Sequence, residues 1–299
     1  MQLTGSRNPG LRVSFKEAVL RNLPGEQEGG GLFVPAELTP WTAAAVARLL
    51  DLPWAERCAE VLYRLLAPEY SREEVAEIVR EAFDFPVPLV PVPSAAPAAA
   101  DRGPCFALEL FHGPSLAFKD FGARFLAAVL ARLPAAGTRT VLTATSGDTG
   151  AAVAAAFWRR PGCRVAVLYP RGRISPLQER QLACLGDNVL ALAVAGTFDD
   201  CQRLVKSCFA DPALSAELGL TSANSINVAR LLAQILYFFE ALAGLRRQSA
   251  GAGPPVVAVP SGNFGNLCAG LYARRLGLPV AGFVAATNAN RTVPDYLET

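Results

Sequence analysis

The chain is poor in the residues on which several kinds of chemistry depend. Its 299 residues hold one histidine, His112. A metal site needing two imidazoles is excluded, and a Ser-His-Asp triad would rest on that single residue. Seven cysteines, an odd number, form no Cys-x-x-Cys pair. The N-terminal stretch MQLTGSRNPGLRVSFK has no apolar h-region. Reduced core thiols and a cytoplasmic protein are therefore expected. Concentrated charge is missing too. Net charge is +2, and the arginines fall in scattered pairs, Arg159-Arg160, Arg246-Arg247 and Arg274-Arg275. Solvated helix ends account for such pairs, and nucleic acid is not an expected partner.

Long apolar runs are also absent, although 52% of residues are apolar and the mean hydropathy is +0.27. The most apolar stretch, Leu231 to Leu245, is too short to span a bilayer and contains Gln234 and Glu240. It reads as a buried helix, with no membrane role. Lysine is the scarcest cation, present only as Lys16, Lys119 and Lys206. Arginine cannot form a Schiff base at ordinary pH, so a lysine set among apolar residues points to amine chemistry.

Residues 1–85 read as a small N-terminal unit. A helix starts near Ser14, a Gly29-Gly30-Gly31 turn follows, and helices are expected over 41–50, 54–66 and 71–83, the last marked by Ser71 with Glu73 and Glu74. Pro86 to Pro104 holds six prolines and reads as an extended connector. From Cys105 onward, strands alternate with Gly/Ser loops and helices. The expected strands are 140–145, 164–169, 189–194, 256–260 and 278–286, and the expected helices 151–157, 198–209, 227–245 and 267–276. Continuous apolar strands between helices imply a mostly parallel sheet covered on both faces, an α/β fold.

Two strand–loop–helix junctions share one design, Ser146-Gly147-Asp148-Thr149-Gly150 and Ser261-Gly262-Asn263-Phe264-Gly265-Asn266. Free amides and the positive end of a helix dipole make each a candidate anion cradle, with glycines where the backbone must approach a ligand. Neither holds Gly-Lys-Ser/Thr or Gly-x-Gly-x-x-Gly, which excludes the NTPase phosphate loop and leaves a dinucleotide site unsupported. The third element is FHGPSLAFKDFG, in which Phe118, Phe121, Phe125 and Val129 form an apolar stripe and Lys119 lies in the first helical turn. A lysine snorkelling at a helix start would look the same. The two loops favour a nucleophilic amine.

Six segments, ELFHGPSLAFKDFGARF, LTATSGDTGAAVAAAF, LYPRGRISPLQERQ, NSINVARLLAQILYFFEA, VPSGNFGNLCAGL and AATNANRTVP, resemble the bacterial-type threonine synthases in order and spacing. GGGLFVP matches an N-terminal signature of that family. The resemblance runs from about Ser14 to Thr299. It implies a fold-type-II pyridoxal 5'-phosphate enzyme, a lyase similar to the tryptophan synthase β subunit. Two parallel-sheet α/β domains would join a small N-terminal unit. The implied division is 1–103 for that unit and the connector, 104–125 with 251–299 for a partial large domain, and 126–250 for a smaller domain.

The implied reaction turns O-phospho-L-homoserine and water into L-threonine and phosphate, the last step of threonine biosynthesis. A threonine-synthase-like lyase giving 2-oxobutyrate and a non-catalytic ligand-binding homologue are the alternatives. By the same resemblance Lys119 forms the Schiff base and shuttles protons. Ser261, Gly262, Asn263, Phe264, Gly265 and Asn266 hold the cofactor phosphate, and Ser146, Gly147 and Thr149 the substrate carboxylate. Arg171, Arg173, Asn224 and Asn227 are candidates for the substrate phosphate. Asp148 stands near the place where related enzymes put an asparagine beside the ring's 3′ oxygen, and a carboxylate there would repel a phenolate. His112 belongs to the turn before the lysine. Thr197 and Arg291 stand where an acidic residue is common. The family's Thr-Ala-His-Pro-like segment, which meets the pyridine nitrogen, has no counterpart here, so the large domain is expected to be incomplete.

Overall fold

A computed structural model of the chain describes residues 1–23, 26–93, 103–135, 137–249, 251, 253–289 and 292–298. Residues 94–102 of the proline-rich connector and Arg291 lie outside the described residues.

The N-terminal unit begins with two strands, β1 (Gln2–Gly5) and β2 (Asn8–Ser14), followed by helix α1 (Phe15–Arg21) and strand β3 (Phe33–Pro35). They form an antiparallel sheet in the order β2-β1-β3. Ser14 caps α1, accepting from the Glu17 amide, where the sequence places a helix start. Three helices follow: α2 (Ala43–Asp51), α3 (Trp54–Leu66) and α4 (Arg72–Ala82). Ser71 and Glu74 close a capping box on α4. Strand β4 (Leu89–Val92), inside the connector, pairs antiparallel with β5 (Cys105–Leu108) just beyond it.

The central part alternates α5 (Lys119–Ala131), β6 (Arg139–Ala144), α6 (Asp148–Phe157), β7 (Cys163–Pro170), α7 (Pro176–Ala183), β8 (Val189–Val194), α8 (Phe198–Ala210), α9 (Pro212–Leu218) and β9 (Leu220–Ser222). Its four strands are parallel, in the order β8-β7-β6-β9. Ala144 pairs with Leu168, Pro170 with Val194, and Leu142 with Ser222. The loops after β6, β7 and β9 therefore leave the sheet along one edge, where ligands of open α/β sheets bind. Thr197, the departure in GTFDD, caps α8 in a box with Asp200, which explains a hydroxyl residue there.

The chain continues through α10 (Val228–Gln248), β10 (Val256–Pro260), α11 (Gly265–Arg275), β11 (Gly282–Ala286) and α12 (Thr292–Leu297). Strands β10 and β11 form a separate two-stranded parallel sheet. The expected strand 278–286 starts four residues later, because Leu278 and Val280 bury themselves against the core before pairing begins. A boundary at residue 125 falls inside α5, a helix that packs on both α6 and α10.

Helix α10 organises the core. It packs against α5, α11, α1, α2 and α3. It buries Leu232, Ile235, Leu236, Phe239 and Leu242, each worth about 1.5–3 kcal/mol relative to exposure. At 21 residues it is longer than the apolar run in the sequence, and length alone would allow it to cross a bilayer. Its most apolar window is 83% buried inside the protein, so that surface already covers the core. Gln234 is held by the Arg230 carbonyl (3.0 Å) and by the Tyr237 hydroxyl (3.2 Å).

Buried arginine carries more of the architecture than the sequence reading allowed. Arg57 on α3 is 1% exposed, pairs with Glu240 on α10 and donates to the Leu49 carbonyl at 3.0 Å. Arg247 reaches the same carboxylate at 2.8 Å, Arg246 reaches Asp51 at 3.1 Å, and Arg160 pairs with Glu81. Arg246 and Arg247 still sit exposed in the last turn of α10, as expected, but they and Arg160 also join distant elements. Arg274 and Arg275 do sit exposed in the last turn of α11. The cysteines need a correction as well. All seven are free thiols, but only Cys58, Cys163 and Cys201 are buried, while Cys105 and Cys184 are exposed.

Glu240→Ala leaves the Arg57 guanidinium buried without its counter-charge. We expect a loss of about 3–5 kcal/mol in denaturant unfolding. Exposed Arg274→Ala should fall within about 0.5 kcal/mol of the parent in the same titration.

Candidate active site around Lys119

Lys119 is the first residue of α5, and the loop before it is closely tied. Asp120 is fully buried and accepts from the Ser115 amide at 2.9 Å. A Cβ on Gly113 would lie 2.4 Å from its Oδ2, so the turn folds directly over this carboxylate. Burial pushes the Asp120 carboxyl above the ordinary 3.8, against the lowering effect of Ser115. His112 bonds Glu109 at 2.7 Å and lies against the Phe111 ring, with centroids 4.8 Å apart.

The Lys119 Nζ donates to Asp148 Oδ2 at 2.9 Å and lies 5.1 Å from the Phe118 ring centroid. Asp148 opens α6, and its other oxygen accepts from Gln178 Nε2 at 2.6 Å. Desolvation works to raise the Asp148 carboxyl, and the bonds from Lys119 and Gln178 overcome it. Its value lies below the ordinary 3.8. The carboxylate expected beside the cofactor ring is thus held by the lysine in the resting chain. Gln178, on α7, carried no sequence signal beyond its place in a capping box with Ser175.

The SGDTG turn differs from the open anion cradle read from the sequence. Gly147 has φ 149°, a backbone that L side chains rarely adopt. Its amide donates to Thr145 Oγ1 at 3.0 Å, and the Gly150 amide does so at 2.8 Å. One threonine hydroxyl therefore takes two of the turn's donors, while Asp148 puts a negative charge at the helix start. Gly147 is buried, Ser146 is exposed and Thr149 is half-buried.

Of the phosphate candidates, Asn227 is the least accessible. It is fully buried, caps α10 by accepting from the Ala229 amide (3.1 Å) and donates to the Val19 carbonyl (3.0 Å). Its side chain thus docks α1 and caps α10. Asn224 is half-buried beyond β9, and Arg171 and Arg173 are exposed beyond β7. All three lie on the same sheet edge as Ser146 and Thr149.

The SGNFGN turn joins β10 to α11. Ser261 is pinned, its amide to the Ala286 carbonyl (2.8 Å) and its hydroxyl to the Val259 carbonyl (2.9 Å). Phe264 sits at φ 58°, a conformation costing of order 1–3 kcal/mol and found where a loop is held for a purpose. Cβ atoms on Gly262 or Gly265 would meet nothing within 4 Å. Of the first amides of α11, that of Leu267 donates to Asn266 Oδ1 at 2.9 Å, while those of Gly265 and Asn266 have no intrahelical acceptor. The Asn266 side chain is engaged, donating to the Pro260 carbonyl at 2.9 Å. A cavity of about 1470 Å³, walled by Leu108, Tyr237, Phe238 and Val257, reaches Pro260 and Asn266 at this turn.

A buried lysine-bearing helix, a parallel sheet with its loops on one edge and a glycine turn at a helix start define a class. Residues 81–297 match the family described as pyridoxal-phosphate dependent enzyme, and residues 4–83 match the threonine synthase N terminus. Threonine synthase from Escherichia coli is 49% identical over 297 residues, covering 99% of this chain and 66% of the relative. A crystal structure of the E. coli enzyme matches with a TM-score of 0.87, 48% identity and coverage of 100% and 66%. Threonine synthase from Haemophilus influenzae is 48% identical over 299 residues, 100% of this chain and 67% of the relative. A PLP-bound threonine synthase from Brucella melitensis matches with a TM-score of 0.85 at 36% identity, covering 100% of this chain and 63% of the other. The chain belongs to the threonine synthase family. It spans about two thirds of the length of the curated relatives it matches.

The residues present fit pyridoxal phosphate. Lys119 supplies an amine 26% exposed, and the α11 turn offers amides toward space that a Cβ would partly fill.

Lys119→Met removes one of the two donors on Asp148, so this carboxyl should titrate at higher pH than in the parent. A carboxyl-selective ¹³C NMR titration reads the change. Because the folded value is depressed, the stability from Asp148 is complete above its unfolded value and is lost as pH falls through the folded one. In Lys119→Met that loss begins at higher pH.

Proposed function

We propose that this chain carries the cofactor- and substrate-binding core of a threonine synthase, acting on O-phospho-L-homoserine and water to give L-threonine and phosphate. The observation that carries it is the placement of Lys119, at a helix start with its amine held by one carboxylate and open to a small molecule. Bound pyridoxal phosphate would supply the electron sink for charge at the substrate's Cα. The chain's own residues do the rest. Lys119 Nζ would hold the cofactor and would move protons at the substrate's Cα, Cβ and Cγ, where Cβ loses a hydrogen and gains the hydroxyl of water while Cγ loses phosphate and gains a proton. Amides from Gly262 to Asn266 at the start of α11 would hold the cofactor phosphate through the helix dipole.

Ser146 and Thr149 orient the substrate carboxylate. Arg171, Arg173 and Asn224, brought to the same sheet edge, meet the substrate phosphate, with charge-assisted bonds from the arginines. The division into a smaller domain over 126–250 and a larger one from 104–125 and 251–299, and a cytoplasmic location, belong to the same proposal.

Mixing the chain with pyridoxal phosphate, reducing with borohydride and mapping the modified peptide should place the label on Lys119. A label on Lys16 or Lys206, or none, would sink the assignment. With O-phospho-L-homoserine added, the expected product is threonine, and accumulation of 2-oxobutyrate would contradict the reaction.

A further inference from the structure

Gln178 does two jobs that few residues could combine. Its Oε1 accepts from the Ser175 amide at 3.1 Å, and its own amide donates to Ser175 Oγ at 3.2 Å, which closes the capping box of α7. With Oε1 so occupied, Nε2 turns outward and donates to Asp148 Oδ1 at 2.6 Å. Glutamate is the other usual residue at this place in a capping box and would accept from Ser175 equally well. It would also set a second carboxylate against Asp148. Only the amide both caps the helix and donates to the carboxylate. Gly147 confirms how tightly the group is seated, since a Cβ there would lie 2.5 Å from Gln178 Nε2.

We propose that Gln178 is a positioning residue for Lys119, acting through Asp148. It pins one carboxylate oxygen so that the other faces the lysine amine, which fixes where Nζ sits and how readily it reacts. The contact also ties α7, beyond β7, to α5 and α6, so the loop bearing Arg171 and Arg173 and the lysine share one hydrogen-bonded chain. The inference rests on Lys119 as the reactive amine of the proposed function.

The test uses the full chain without cofactor, labelled with trace acetic anhydride at fixed pH. Acylation of Lys119 is measured by mass spectrometry against exposed Lys206 in the same molecule. Gln178→Met should speed the relative acylation of Lys119 by roughly two- to fivefold, the range commanded by an ion pair at a half-exposed site. Asp148→Asn should do likewise, and the double variant should react no faster than Asp148→Asn alone. Gln178→Glu keeps the cap and should slow Lys119. Equal effects of Gln178→Met with and without Asp148, or an unchanged Lys119 in Gln178→Glu, would overturn the proposal and leave Gln178 as a helix cap. Because no cofactor is used, these outcomes are separate from the borohydride result. Coupling in a chain that takes no pyridoxal phosphate would sink the function and not the linkage.

Discussion

Helices α5 and α10 touch almost backbone to backbone, and the position of the lysine depends on that contact. A Cβ on Gly122 would come within 3.1–3.2 Å of the Arg230 main chain and Cβ, closer than packed side chains normally approach. The missing side chain lets the two helices meet one turn below Lys119. Above the contact, Phe121 stands edge-on to Tyr237 at 5.3 Å. On the far side, Arg230 is buried with no carboxylate partner among the described residues, and burial pushes its guanidinium down to about 10. Its Nη1 still donates to the Ala223 carbonyl at 2.7 Å, which anchors the loop that leads to Asn224. One close approach thus sets the lysine, the core helix and a loop of the binding edge together.

Charge at the site follows from this framework. α5 is embedded in the apolar core, with Phe125 to Leu130 fully buried, so the first turn cannot drift. A lone ammonium at the start of a helix meets the unfavourable end of the dipole. Asp148, at the start of a second helix, suits that helix's dipole and supplies the missing negative charge. Two helix starts with opposite electrostatic needs face each other across one ion pair. Gln178 completes it from a third helix start.

Much of this was legible in the residues, and the limits have physical causes. α3 and the strands β8 and β10 fall on the expected residues, because apolar runs bounded by proline, glycine or capping residues carry their own ends. The first hairpin escaped notice. Its sheet character comes from pairing, of β1 with β2 on one side and with Phe33–Pro35 on the other, and not from the residues alone. Lys119 and the two glycine turns could be found because rare residue types and turn chemistry are local properties. Asn227 could not be placed from its motif, since its partner, the Val19 carbonyl, is set by docking of a distant helix. Gln178 was hidden for the same reason, a capping residue in sequence and an acidic partner in space.

That Asn227–Val19 bond spans 208 residues, and the Arg57–Glu240 pair spans 183. On a ribosome, α1 and α3 emerge long before the helix that receives them. The N-terminal unit must wait through the synthesis of the whole four-stranded sheet with one apolar side and one buried-arginine socket open to water. Chains with such distant closures fold slowly and expose sticky surface while they wait. The unit's own three-stranded sheet and capped helices give it a shape to hold during that interval, ready for α10 to arrive.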